Sequence, residues 1–64
     1  QLVLAGLQQL SEDKRTAVVL RDLKGFSYEE VADMTNTPLG TVKSRLNAAR
    51  RELRDFLQAK GVQL

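Results

Sequence analysis

A long apolar stripe in the second half of the chain does most to limit how it can fold. Its members follow one another at steps of three or four residues: Leu39, Val42, Leu46, Ala49, Leu53 and Phe56. That spacing places them on one side of an α-helix, which must pack against other parts of the chain. We predict a helix over residues 38–60, with Thr37 as its cap, Pro38 at its first position and Gly61 as its left-handed terminator.

Two shorter helices are predicted near the start of the chain. The first covers Leu2 to Gln9 and is weakened by Gly6, because glycine is a poor helix former. Ser11 can cap the second helix, which is expected to stop at Lys24-Gly25. Four residues of this helix are expected to point inward: Thr16, Val19, Leu20 and Leu23.

A third helix and a tight turn are predicted immediately before the long helix. Ser27 and Glu30 match a capping box, so this helix is expected to begin at Tyr28. The segment Thr35-Asn36-Thr37 suits a turn, because asparagine tolerates the left-handed backbone conformation. Since no segment alternates like a strand, we predict an all-α, four-helix domain containing a helix-turn-helix with a long C-terminal recognition helix.

Composition excludes several kinds of chemistry. The chain has 64 residues, with no cysteine and no histidine, which removes thiol nucleophiles, the usual zinc ligands and the commonest general base. We therefore predict no enzyme, no catalytic residue, no metal and no cofactor. No apolar run is long enough to cross a bilayer, so a soluble protein is expected. Because the chain begins with glutamine, we expect residues 1–64 to be a single domain from a longer protein.

Charge is divided unevenly along the chain. The overall net charge is +2, but residues 1–37 carry a net −2 and residues 38–64 carry a net +4. The positive charge therefore lies mainly on the predicted long helix. This asymmetry indicates an anionic partner, although a solvated helix face would have the same composition.

A polar stripe on the long helix gives this charge a possible use. Its members also recur at steps of three or four residues: Lys43, Asn47, Arg50 and Arg54. In a helix-turn-helix, the second helix enters the major groove of DNA. Lysine can donate to guanine, asparagine can pair with adenine, and serine can do either job weakly, so Lys43, Ser44 and Asn47 are candidate base readers. Arg50 and Arg54 are candidates for phosphate contact, as are the free N–H groups of residues 39–41.

Two segments carry a resemblance to a known family. They read LRDLKGFSYEEVA over residues 20–32 and PLGTVKSRL over residues 38–46, followed by Ala49-Arg50. Together they resemble region 4 of bacterial sigma factors, specifically those of the extracytoplasmic-function (ECF) group. The likeness extends from about Leu10 to Leu57.

The resemblance implies a function, partners and site residues. A domain of this family binds the minus-35 promoter element, often GGAAC-like, in a cytoplasmic RNA polymerase holoenzyme. It docks on the flap of the polymerase β subunit, and an anti-sigma factor commonly sequesters it. Matching positions imply that four residues face bases: Lys43, Ser44, Asn47 and Ala48. They place four others near the DNA backbone: Arg21, Tyr28, Thr41 and Arg50.

One departure from the family pattern lies in the turn. The family usually has an aliphatic residue, a glycine and another aliphatic residue where this chain has Thr35-Asn36-Thr37. The turn is still expected to form, because asparagine can replace glycine in the left-handed conformation. The local core is expected to be thinner.

Two other functions remain open at this point. The output domain of a LuxR-type regulator has a similar helix-turn-helix, although that family typically places a histidine within the segment that reads Lys43-Ser44-Arg45-Leu46 here. The second alternative is a protein-interaction module, bound by the polymerase flap or an anti-sigma factor through apolar surfaces that include the first helix.

Several side chains also have purely structural interpretations. The ring of Tyr28 can simply cover the turn, an interpretation that stands beside phosphate contact. Arg51 and Asp55, four residues apart, are expected to form a local ion pair. Three large side chains are expected in the core: Phe26, Met34 and Phe56.

Overall fold

The long C-terminal helix organises the whole structure. The computed structural model describes residues 1–63. Its helices are α1 (Leu2–Gln9), α2 (Glu12–Val18), which continues into a π-helical turn (Val19–Leu23), α3 (Tyr28–Thr35) and α4 (Leu39–Ala59). None of residues 1–63 lies in a strand, and the predicted all-α class and helix-turn-helix are confirmed.

The apolar stripe of α4 supplies the centre of the core. Val42, Leu46 and Ala49 are at most 1% exposed, and α1, α2 and α3 all pack against this helix. Five further residues complete the buried cluster: Leu7, Leu10, Ala17, Val18 and Val31. Because α4 touches every other helix, its rotation about its own axis is fixed by the core.

Glycine in α1 allows that helix to lie close to α4. The predicted bounds of α1 are confirmed, and Gly6 is buried at its centre. A Cβ atom at this position would overlap Cδ1 of Leu53 and lie 3.1 Å from Cδ2 of Phe56. The cost of glycine in a helix is therefore offset here by close packing between two helices.

The second helix begins as predicted but turns a different face inward. The hydroxyl of Ser11 caps it by accepting from the N–H of Lys14 at 3.4 Å, and Glu12 and Asp13 occupy its first turn. The predicted inward set was correct only for Leu20, which packs against the core. Ala17 and Val18 are buried instead, while Leu23 is 62% exposed, and the other three predicted residues are half-buried.

The π-helical turn explains part of this difference. The N–H of Lys24 donates to the carbonyl of Val19, five residues earlier, at 2.9 Å. This wider turn takes in an extra residue, so positions beyond Val18 no longer follow the 3.6-residue period used for the prediction. The helix stops before Gly25, which has a φ of 82°, as expected from the sequence.

The helix-turn-helix has the predicted cap and turn. Ser27 and Glu30 form both hydrogen bonds of the capping box, at 2.8 and 3.0 Å. Asn36 adopts the left-handed conformation with φ 52° and ψ 47°, so it replaces glycine as expected.

The predicted cap of α4 was wrong. Thr37 uses its N–H to bond the carbonyl of Ala32 at 3.0 Å, and its hydroxyl lies 2.6 Å from that of Thr35. The turn therefore engages Thr37, and Pro38 becomes the capping residue one position later. The carbonyl of Pro38 accepts from the N–H groups of Thr41 and Val42 at 3.0 and 3.1 Å.

The end of α4 follows the glycine-stop prediction. Gly61 has a φ of 86°. Its N–H donates to the carbonyl of Gln58, and the N–H of Val62 donates to that of Leu57, both at 3.0 Å. This is the pair of bonds expected of a Schellman motif.

One predicted core residue lies outside the core. Met34 is 52% exposed, although it lies one turn after Val31, the buried residue of α3. Phe26 and Phe56 are half-buried, which agrees with the prediction in part.

Candidate nucleic-acid interface

The candidate base readers occupy the face of α4 that points away from the core. Lys43, Ser44 and Asn47 are exposed, and Ala48 is half-buried. They alternate along the helix with buried Val42, Leu46 and Ala49. The packing of the apolar stripe thereby holds the polar side chains outward, in the arrangement that a recognition helix requires.

Ser44 presents mainly an acceptor to its surroundings. Its hydroxyl donates to the carbonyl of Thr41 at 3.1 Å, one turn earlier. The lone pairs of the hydroxyl oxygen remain able to accept a hydrogen bond. In this rotamer Ser44 is suited to a donor such as the amino group of cytosine or adenine.

The start of α4 offers fewer free N–H groups than predicted. The N–H of Thr41 is already bonded to the carbonyl of Pro38 at 3.0 Å. Of the three backbone N–H groups predicted to bind an anion, those of Leu39 and Gly40 therefore remain candidates.

Three basic side chains gather around Tyr28. The guanidinium carbon of Arg21 lies 4.9 Å from the centre of its ring, and the ammonium of Lys43 lies 6.0 Å from it. Hydrogen bonding from Arg50, and to a smaller extent from Arg21, lowers the pKa of the Tyr28 hydroxyl. The ring also packs against the core, so Tyr28 covers the turn and points its polar end towards cations, and the two interpretations are compatible.

Arg21 is held in place from a second side. One of its terminal nitrogens donates to the carbonyl of Phe26 at 3.2 Å. Its Nε is buried and has no hydrogen-bond partner among residues 1–63. The guanidinium is therefore fixed against Tyr28 and the loop before α3.

Arg50 makes a contact that the sequence did not predict. Its Nε donates to Oδ2 of Asp22 at 3.0 Å, and its Nη2 donates to Oδ1 at 2.6 Å. The hydrogen bonds that Arg50 donates to Asp22, and to a smaller extent its interaction with Tyr28, raise the pKa of Arg50 above its usual value. No local spacing rule could reveal this pair, since 28 positions separate its members.

Other ion pairs also join α2 to α4. Lys14 pairs with Glu52, and Arg45 lies 3.5 Å from Asp13. The predicted pair between Arg51 and Asp55 was wrong, since it is not among the ion pairs within the described residues. The ion pairs that do form join residues of different helical segments.

The free positive charge of α4 lies on its outward face. Arg45 and Arg50 are partnered by carboxylates, whereas Lys43, Arg51 and Arg54 are exposed and form no ion pair in the part of the chain that is described. Arg54, predicted to contact phosphate, is thus open to an external anion.

Two absences can be stated for residues 1–63. None of their helices is both long enough and apolar enough to cross a membrane. Within the same range, no three His, Cys, Asp or Glu side chains gather where they could hold a metal ion.

Comparison with known proteins gives a family match over most of the chain. Residues 1–53 match the family described as Sigma-70, region 4. The match includes the helix-turn-helix and the part of α4 that carries the candidate base readers.

Individual relatives agree with this match. Over 52 residues the chain is 48% identical to an RNA polymerase sigma-H factor of Pseudomonas aeruginosa, covering 81% of the chain and 27% of that protein. Over 58 residues it is 43% identical to an ECF RNA polymerase sigma-E factor of Escherichia coli K12, covering 91% of the chain and 30% of that protein.

A third relative shows the same relation in length. The chain is 40% identical over 58 residues to the ECF RNA polymerase sigma-E factor of Haemophilus influenzae, covering 91% of the chain and 31% of that protein. The chain therefore spans less than a third of the length of these curated relatives.

Proposed function

Because this chain belongs to the sigma-70 region 4 family, we propose that it recognises the minus-35 promoter element as part of an ECF RNA polymerase sigma factor and so takes part in transcription initiation. In this proposal, residues 1–64 form one DNA-binding domain of a longer protein. Family membership favours this function over that of a LuxR-type output domain.

The observation that carries the proposal is the orientation of α4. Its buried stripe holds Lys43, Ser44 and Asn47 outward on successive turns. We assign these three side chains to base edges in the major groove, with a methyl contact from Ala48. The lysine ammonium and the asparagine amide provide the strongest discrimination, since each can meet a distinctive hydrogen-bonding pattern of one base.

The surrounding basic and hydroxyl groups are assigned to the DNA backbone. They are Arg21, Tyr28, Thr41, Arg50 and Arg54. The position of Arg21 and Tyr28 next to Lys43 of α4 supports this role, because phosphate contacts beside a recognition helix set its register in the groove.

We also propose protein partners and a location. RNA polymerase core, through its β flap, and an anti-sigma factor are the partners, and the bacterial cytoplasm is the location. Three apolar side chains of α1 are between 42% and 56% exposed and support a protein-binding role for this helix: Leu2, Val3 and Leu4. The proposal includes no catalytic step and no cofactor.

The test is an NMR titration of the ¹⁵N-labelled chain with two duplexes of equal length, one containing GGAAC and one with the same bases scrambled. We expect shifts concentrated at residues 39–50 that differ between the duplexes and persist at the higher of two salt concentrations. Salt-sensitive shifts identical for both duplexes would reject base recognition and leave the protein-interaction alternative.

A further inference from the structure

An acidic residue, Asp22, binds the guanidinium of Arg50, which the proposed function assigns to a backbone phosphate. Asp22 lies in the π-helical turn and receives two hydrogen bonds from Arg50, at 3.0 and 2.6 Å. Both oxygens of one carboxylate are thus used by one guanidinium. This two-point geometry is also the one that arginine uses to hold a phosphate.

The pair is accessible to an incoming ligand. The side chains of Arg50 and Asp22 are 42% and 34% exposed, respectively. The basic side chains around Tyr28 lie beside this ion pair, because Arg50 interacts with both Tyr28 and Asp22. A duplex that docks on the outward face of α4 would therefore meet the guanidinium and its carboxylate together.

The two anions cannot both use the same edge of the guanidinium. Arg50 presents five N–H donors in a planar fork, and the edge formed by Nε and Nη2 is occupied by Asp22. A phosphate at that edge must displace the carboxylate, and a phosphate at any other edge is repelled by it at short range. In either geometry Asp22 opposes the phosphate contact.

We propose that Asp22 is an attenuator of DNA binding: its carboxylate occupies Arg50 in the free protein and competes with a backbone phosphate for the same guanidinium. This inference rests on the proposed function, since it assumes that Arg50 contacts DNA. It assigns a role to a residue outside the recognition helix. Competition at a phosphate contact weakens binding to every duplex, so Asp22 limits the sequence-independent part of the affinity.

The test compares four forms of the chain: wild type, Asp22→Asn, Arg50→Ala and the double variant. Fluorescence anisotropy measures the affinity of each for the GGAAC-containing and scrambled duplexes over a series of salt concentrations. Asp22→Asn is expected to tighten binding to both duplexes by roughly threefold to tenfold at low salt. Because Arg50 already contacts a phosphate in the proposed complex, the slope of the salt dependence should change by less than about 0.9, the value for one whole phosphate contact.

The double variant and a charge-matched control separate this mechanism from a general charge effect. With Arg50 replaced by alanine, Asp22→Asn should change affinity by less than about twofold, because a remaining long-range effect is screened by salt. Asp33→Asn removes the same charge from an exposed position on α3 and should also have only this small effect. An equal gain with and without Arg50 would overturn the proposal.

Two further results would overturn it. Weaker binding by Asp22→Asn would mean that the carboxylate positions Arg50 for phosphate, which is the opposite role. Unchanged binding would mean that no competition occurs. Asp22→Ser, checked for helicity by circular dichroism, repeats the measurement with a second uncharged side chain in case asparagine alters the turn.

A measurement without DNA distinguishes failure of this inference from failure of the proposed function. The Nε–H signal of Arg50 should shift when Asp22 is replaced by asparagine, whether or not the chain binds DNA, and an unchanged signal would refute the ion pair. If the wild-type chain does not prefer the GGAAC duplex, the proposed promoter recognition fails. If it prefers that duplex but Asp22→Asn binds no more tightly, only the attenuator fails.

Discussion

Single residues on the outward face of α4 differ in the information that they can read. Asn47 carries an amide that can pair with one base edge, whereas Arg50 carries a charge that every phosphate attracts. Both are exposed, so exposure alone does not distinguish them. The two residues are distinguished by the effects that their replacement is expected to have on DNA binding.

We predict that Asn47→Ala weakens binding to the preferred duplex by about 1–3 kcal/mol and binding to the scrambled duplex much less. Arg50→Ala is the matched variant and should weaken binding to both duplexes to a similar extent. Anisotropy titrations at a fixed salt concentration measure the two ratios. Equal losses on both duplexes for Asn47→Ala would exclude it as a base reader.

Tyr28 allows a second test at the scale of one side chain. It is the only tyrosine, and the chain has no tryptophan. The ultraviolet absorbance of tyrosinate therefore reports the ionisation of Tyr28 alone. Because Arg50 and Arg21 lower its pKa, the midpoint should lie below the usual value of about 10. Arg50→Ala should move the midpoint upward, towards that value.

The direction in which stability depends on pH follows from the charged form of Tyr28 that the arginines favour. They stabilise the phenolate, so the unfolded chain retains this proton to higher pH than the folded chain does. The associated stability is present above the unfolded pKa and is lost as pH falls through the lower folded pKa. Lys60→Ala is a control, because its ammonium lies over Phe56. An unchanged midpoint in Arg50→Ala would contradict the assignment.

At the scale of helices, the contact between α1 and α4 depends on the absence of a side chain at Gly6. We predict that Gly6→Val destabilises the fold by about 1–3 kcal/mol, because the added atoms must displace Leu53 and Phe56. Gln8→Val is the control, since it introduces the same residue at an exposed position of the same helix. Urea unfolding measures both variants. Because valine is a better helix former than glycine, a Gly6→Val variant as stable as the wild type would contradict the close packing at this position.

The helices were predictable where local chemistry determines them. The capping box at Ser27 and the glycine stop at Gly61 depend on residues within a few positions of each other, and both formed as expected. The inward face of α2 was not predictable, because the π-helical turn after Val18 changes the period on which the assignment relied. The exposure of Met34 was likewise not predictable, because helical spacing places it on nearly the same face as buried Val31.

At the scale of the whole molecule, ion pairs connect α2 and its π-helical turn to α4. Their members are 28 to 38 positions apart, and the separation of Asp13 and Arg45 falls within this range. Sequence patterns over a few residues carry no information on such distances. For this reason the base-reading face could be proposed from the sequence, but the partner of Arg50 could not.

These pairs predict a modest dependence of stability on salt. Lys14→Met breaks the pair with Glu52 and should cost no more than about 1 kcal/mol at low salt, because the partners are partly exposed. The cost should shrink as added salt screens the charges. Lys24→Met, at an exposed position, is the control for loss of a positive charge. A cost for Lys14→Met that does not change with salt would point to packing by its aliphatic chain instead.

Under the proposed function, the alternation along α4 has a consequence for how promoter preference can change. Positions 43, 44 and 47 project outward, while the positions that maintain the fold, 42, 46 and 49, point into the core. The outward positions can therefore be substituted while the core positions are kept. A library randomised at only those three outward positions should remain largely folded, and under the proposed function its members should differ in the promoter sequences that they prefer.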